Sequence, residues 1–418
     1  MVKNLFSIPS DTAGKVLSFL SGKQALVFYI TYSILNKKED FVPKDYNLSV
    51  RAEDYNIWST KKSFKSLAID CLTQRYTESL NLGRLTYIER LQATSYRFGA
   101  VGLEKLVNLK SLNVLSLIMD MESLKKFPHL EEFGGELLIR MEDDEKIRLN
   151  LRSYIGTITF YTVDRISLNK YLNPDKLEEL NIYCIRGKKI LTLDTFIHLK
   201  KLKFGDVLEF LSDLKPLVNL QELNLTQTDV FDWMILSGMT KLQKLSVKYS
   251  SSVNVEYLSN RVVEGLTELR IEGPLEESIK NKLPNMTRLI TLSLINPDCS
   301  IIKYLPTNLE HLILFEVIGD MDFFKHIQRL TSLRILEITF KRGFRSSMMK
   351  YVGKLPNLEE LFFNKFNRFS VNSLRDLESL SKLKIITIMG NTSDISRENL
   401  AILSHLDGLI INLEYSYD

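Results

Sequence analysis

The residue types whose spacing most often signals chemistry are scattered in this chain. Five histidines occur, His129, His198, His311, His326 and His405, with no HExxH pair to seat a zinc ion. Glu142-Asp143-Asp144-Glu145 could attract a divalent cation by composition alone, but the setting reads as an exposed insertion loop. The basic run Lys341-Arg342-Gly343-Phe344-Arg345 could meet an acidic partner, and reads first as a solvated loop closing a strand. Cys71, Cys184 and Cys299 are far apart and form no CxxC unit, so neither a zinc site nor a disulfide framework is expected. No GxGxxG, GxxxxGK[ST] or GxSxG occurs. The chain therefore reads as a binding protein with no catalytic residue, cofactor or metal.

What organises the chain is a repeat. Asn219-Leu-Gln-Glu-Leu-Asn-Leu carries leucines at 220, 223 and 225, an LxxLxL frame. The frame returns with first positions at 64, 88, 109, 130, 155, 177, 199, 220, 242, 266, 289, 309, 333, 358, 383 and 406. These sixteen frames lie about 23 residues apart, with no interval below 20 or above 25. The fourth and sixth residues of a frame are two apart, so they share one side of a short strand. The returns near Phe323-Phe324-Ile327, Met348-Met349-Val352, Leu374-Leu377-Leu380 and Leu400-Leu403 have helical spacing, and Asp394 and Ser396 are placed to cap the last. His129, His198 and His405 precede the first leucine of a frame, the slot that Asn fills at 108, 219, 308 and 357, which makes them loop residues.

Composition agrees with a folded, water-soluble chain. Of 418 residues 44% are apolar and 25% charged, and the net charge of +4 is too small and too dispersed for a nucleic-acid surface. The N-terminus lacks the apolar run of a signal peptide, and Ala25 to Leu35 is too short to span a bilayer. An intracellular protein, cytoplasmic or nuclear, with no membrane or nucleic-acid partner is expected.

The segments Leu-Pro-Asn-Leu-Glu-Glu-Leu (355–361) and Leu-Val-Asn-Leu-Gln-Glu-Leu (217–223) resemble the leucine-rich-repeat family. The resemblance implies an α/β solenoid, a horseshoe with a parallel sheet on its concave side and short helices and loops on the other, over roughly residues 51 to 418. Where that family often has Asn or Cys after the last leucine, this chain has Thr228, Ser250, Pro274, Pro297 and Val317, with Asn only at 391. Irregular loops are therefore expected.

Residues 1–50 do not fit the repeat. Ile8-Pro9-Ser10-Asp11, then Val16, Leu17 and Leu20, then Leu26, suit capped helices with one apolar stripe. The pattern is similar to an F-box, which implies docking through Ile8, Pro9, Val16, Leu17, Leu20 and Leu26 onto the adaptor of a cullin-type ubiquitin ligase, with the repeats holding a substrate. An ordinary helical cap over the first repeat is the compatible alternative. Residues 37–62 are polar enough to connect the two parts, with Trp58 as a pin.

Positions three, five and seven of each frame should leave the sheet on its outer side. In the central repeats these are polar, as at Glu222, Lys244 and Arg270. From residue 289 onward apolar residues intrude, and Ile313, Phe315, Ile335, Phe362, Ile385 and Met389 form one expected lane for a protein partner. Two functions fit: a ubiquitin-ligase substrate receptor, or an intracellular scaffold or effector-type binding module with no ligase link.

Overall fold

The computed structural model describes residues 47–51, 65–70, 80–83, 85–93, 100–139, 148–160, 165–186, 190–206, 211–212, 214–226, 233–248, 256–273, 277–317, 321–345, 348–368, 370–390, 397–406 and 409–414. The chain divides into two compact units, residues 1–199 and 200–418.

In the first unit seven strands form one parallel ladder: β1 (Asn47–Arg51), β2 (Ser66–Asp70), β3 (Arg90–Ala93), β4 (Ser111–Asp120), β5 (Glu132–Ile139), β6 (Ser153–Phe160) and β7 (Glu179–Arg186). In the second unit ten more do the same: β8 (Lys201–Asp206), β9 (Glu222–Leu225), β10 (Lys244–Lys248), β11 (Glu268–Glu272), β12 (Thr291–Ile295), β13 (His311–Val317), β14 (Ile335–Arg345), β15 (Glu360–Arg368), β16 (Ile385–Gly390) and β17 (Ile410–Glu414). Every pairing joins one repeat to the next. Each unit is a stretch of leucine-rich-repeat solenoid.

The register follows from the leucines. Leu223, Leu245, Leu269, Leu292, Leu312, Leu336, Leu361 and Ile386 stand in one row across the second ladder, and each is at most 1% exposed. Burying such a side chain contributes roughly 1.5–3 kcal/mol relative to leaving it in water. One backbone carbonyl per repeat fixes the entry into the strand. Glu310 O accepts from Arg334 N (2.7 Å) and Ile335 N (2.9 Å), and Arg334 O accepts from Glu359 N (2.8 Å) and Glu360 N (2.9 Å). The Asn slot does similar work: Asn308 Nδ2 donates to Leu289 O (2.7 Å) and Asn357 Nδ2 to Thr331 O (2.8 Å).

Helices form where the spacing predicts them, at Met321–Ile327, Met349–Val352, Val371–Leu377 and Arg397–Leu400. Phe323, Phe324, Met349, Val352, Leu374 and Leu377 turn inward and are buried. An aromatic stack crosses from these returns to the strands, Phe324–Phe340 at 6.2 Å and Phe340–Phe363 at 5.6 Å between ring centroids. The residues of the expected cap at 394 and 396 lie outside the described residues.

Three expectations need correction. First, part of the stretch read as a connection is a strand: Leu48 and Val50 of β1 pair with Leu67 and Ile69 of β2. Second, the frame at 155 is four residues out of register. Ser153, not Thr157, is the partner of Glu132, so the inward residues are Leu151, Tyr154 and Gly156, with Ile158 further along. Tyr154 stands where a leucine is usual; its buried hydroxyl donates to Thr157 O at 2.7 Å, with Gly135 O at 3.2 Å. Burial pushes this phenol above its ordinary range. Third, the last frame is two residues late, since Ile411 and Leu413 are the partners of Ile386 and Ile388.

Gly156 explains the second correction. A Cβ built there would lie 1.8 Å from Gly135 O, so the backbones of β5 and β6 meet at a closeness only glycine permits. The Gly156→Ala variant should lose about 1–3 kcal/mol of stability in a denaturant titration. An unchanged midpoint would show that these two strands do not approach at that point.

Candidate functional site

The side chains that could do chemistry are held apart. His129, His198 and His405 are exposed loop residues, and His405 Nε2 lies 2.9 Å from Glu378 O. His311 stands on β13 with Nδ1 3.4 Å from Thr291 Oγ1, whereas His326 sits in a return helix, 3.9 Å from Asp322. Cys184 is a half-buried free thiol on β7. Among the described residues no three His, Cys, Asp or Glu side chains come together as a metal site. The acidic run 142–145, Cys71 and the six N-terminal residues from Ile8 to Leu26 lie outside the described residues. The basic run 341–345 is not a loop: it continues β14, with Phe344 and Arg345 paired to Phe366 and Arg368 of β15.

The outer face of the second ladder has two parts. Over β8–β11 it is polar and ion-paired, with Lys244–Glu268 at 3.1 Å, Lys248–Glu272 at 3.2 Å and Arg270–Glu272 at 2.6 Å. These residues, with Lys203, Glu222 and Asn224, line an open depression of about 340 Å³. Two polar atoms on the outer face, Asn224 Oδ1 and Ser293 Oγ, are buried and have no hydrogen-bond partner among the described residues.

From β12 onward the face changes. Ile313, Phe315, Ile335, Phe362, Ile385 and Met389 all stand on the outer side, on adjacent strands, and all are half-buried. The register spreads them over three rows. Ile335 and Ile385 share a row with Glu360 between them, and Ile313 and Phe362 share the next with Glu337 between them. Met389 closes a third row behind Thr339 and Asn364. Phe315, the partner of Ile295, stands where the register of β13 against β14 shifts. At that shift Glu316 takes φ 57°, beside Asn296 at φ 51°, and Asn296 N donates to Phe315 O at 2.7 Å. Such a bulge re-aims the side chains next to it.

Glu337 was not singled out by its type or spacing. It makes no hydrogen bond or ion pair with any described residue. Burial holds its carboxyl above the ordinary 4.5, with only a weak opposing pull from Arg270. The opposite situation holds at the entry edge of the sheet. Glu89 lies between Lys65 (2.7 Å) and Lys110 (2.8 Å), and Glu359 between Arg334 (2.7 Å) and Lys384 (2.5 Å). Hydrogen bonds from those cations draw both carboxyls down to about 2. Alternating charge there ties the repeats at 65, 89 and 110, and those at 310, 334, 359 and 384, to their neighbours.

No family model and no curated protein matches the chain. Solved structures similar to it include an internalin (InlF) of Listeria monocytogenes, 17% identical over 82% of this chain and 86% of that one, with a TM-score of 0.39. A leucine-rich-repeat protein of Leptospira interrogans is 14% identical over 90% and 91%, with a TM-score of 0.42. The ectodomain of the Arabidopsis thaliana receptor kinase GASSHO1/SCHENGEN3, solved in complex with CASPARIAN STRIP INTEGRITY FACTOR 2, is 14% identical over 92% of this chain and 53% of its own, with a TM-score of 0.35. The fold class rests on this chain's own repeat and strand register. Among the described residues no helix is long and apolar enough to cross a membrane.

A carboxyl titrating higher in the folded than in the unfolded chain binds its proton more tightly when folded. Its ionisation therefore takes away stability as pH rises from the ordinary value through the raised one. His311 on β13 and Glu360 on β15 are the titratable groups flanking Glu337, and neither is altered by Glu337→Gln. That variant should match the parent near pH 4 and be more stable at pH 7, by about 0.5 kcal/mol or less. Equal midpoints at both pH values in urea titrations would contradict the burial of this carboxylate.

Proposed function

We propose that this chain is a protein-binding module, non-enzymatic, that holds a protein partner on the outer face of β12–β16. The observation that carries this reading is the set of six large apolar side chains, Ile313 to Met389, standing on the outward side of the sheet. No leucine of the core needs them there. Apolar surface gathered on one face of a folded chain, with Glu337 and Glu360 set between its side chains, suits a partner that supplies apolar side chains of its own.

The finer form of the proposal is a substrate receptor of a cullin-type ubiquitin ligase. The F-box-like spacing of Ile8, Pro9, Val16, Leu17, Leu20 and Leu26, followed at once by a long repeat array, supports it. The wide separation of the three cysteines supports a reducing, intracellular setting. In the alternative, a binding scaffold, residues 1–50 only cap the first repeat.

Pull-downs from a eukaryotic lysate separate these readings. The full-length chain should recover adaptor and cullin and a chain lacking residues 1–46, which keeps β1 whole, should not; recovery of neither by either protein would leave the scaffold. Replacing both Phe315 and Phe362 by Ser should abolish capture of the substrate while leaving thermal unfolding within a few degrees of the parent. Unimpaired capture by that double variant would remove the binding face.

A further inference from the structure

The charge of the outer face is divided, and the division points to the chemistry of the partner. Over β8–β11 the outward charged residues are five cations, Lys201, Lys203, Lys244, Lys248 and Arg270, and three acids, Glu222, Glu268 and Glu272. At positions three, five and seven of the β12–β16 frames, from Thr291 to Met389, there is no Lys or Arg, and the acids are Glu337 and Glu360; beyond these positions Lys341 is exposed on the extension of β14 and Glu316 at the bulge of β13.

Glu337 is the centre of that second part. Ile313 and Phe362 flank it on the neighbouring strands, about 4.8 Å away on either side, and Ile335 lies two residues back along its own strand, about 6.6 Å away. The nearest outward cation in its row, Arg270, is three strands off and already bound to Glu272 at 2.6 Å. A half-buried carboxylate set among apolar walls loses hydration that nothing in the described chain restores. Its raised titration range agrees with that geometry.

We propose that β13–β15 form a seat for one basic side chain of a protein partner, presented in an extended segment with apolar residues on either side. The Lys or Arg head pairs with Glu337, its aliphatic stem lies along Ile313, and its charge faces the ring of Phe362. The neighbouring apolar residues of the segment cover Ile335 and Ile385. The excess of cations over β8–β11 repels the same segment and so sets where along the sheet it settles. An acidic peptide, a nucleic acid or an anionic membrane would bring negative charge against Glu337 and Glu360 and is disfavoured.

This inference rests on the protein-binding reading of the face and fixes the partner's chemistry. A phage library of random dodecapeptides selected on the immobilised full-length chain tests it. Peptides with Lys or Arg between apolar residues should be enriched, and the selected peptides should bind the Glu337→Gln protein at least about tenfold more weakly, the worth of a charge-assisted hydrogen bond. Selection on Glu337→Lys should turn the preference to Asp or Glu; far-ultraviolet circular dichroism controls for folding in both variants. Peptides that depend on Phe315 and Phe362 but are indifferent to Glu337 would overturn the cation seat and leave the binding face standing. No enrichment dependent on the face would overturn both.

Discussion

The leucines at the first, fourth and sixth positions of each repeat are covered only because another repeat stands beside them. The same holds for the backbone: Glu310, Arg334 and Glu359 each offer one carbonyl to two amides of the following repeat, and no strand pairs with itself. A single repeat thus buries neither its apolar side chains nor its polar backbone, and stability is a property of neighbouring pairs. The rest of the structure adjusts to that need. Phe340 and Phe363 extend the apolar column toward the helical returns. Where the backbones of β5 and β6 meet, at Gly135 and Gly156, neither residue carries a side chain, and the hydroxyl of Tyr154 reaches Gly135 O.

A consequence is that alternate residues of every strand are released from folding. Inward residues such as Leu312 and Leu336 hold the column, and outward residues such as Ile313 and Glu337 are constrained only by their row. The outer face can change character from one repeat to the next without disturbing the core. It does so near β12, passing from ion-paired Lys248, Arg270 and Glu272 to an apolar surface with two acids. Placing Ile313 and Phe362 outside, next to a carboxylate with no cation partner among the described residues, gains nothing for the solenoid. That misfit between folding and composition is what supports the proposed binding face.

The repeat was legible in the sequence because its leucines recur wherever the column is built from leucine. Legibility ended where another residue fills the column. Tyr154 and Gly156 do not look like a frame, while Ile155, Ile158 and Phe160 do, so the register there was misread by four residues. Leu48 and Val50 lack a leading leucine, and β1 passed for a connection. At the last repeat, extra residues before β17 displaced the frame by two. The outward positions of the six apolar residues followed from the frame alone, since β12–β16 keep it through the sixth position of each repeat. Their arrangement in three rows with Glu337 and Glu360 between them needed the strand register. The bulge at Phe315 and Glu316 had no sequence signal, because nothing in Phe-Glu-Val announces a positive φ. The alternation at the sheet edge, Lys65, Glu89, Lys110 and again Glu310, Arg334, Glu359, Lys384, was readable at the residue after each leading apolar position.

The central claim is that the inward and outward residues of one strand have different work, and Leu361 and Phe362 test it side by side. Leu361 is 1% exposed in the column, and Phe362 is half-buried on the outer face. Equilibrium urea unfolding of Leu361→Ala and Phe362→Ser should show a loss of about 2–5 kcal/mol for the first and under about 1 kcal/mol for the second. Losses of equal size would mean that Phe362 belongs to the core, and the outer face of β12–β16 would then be packing rather than a surface kept for a partner.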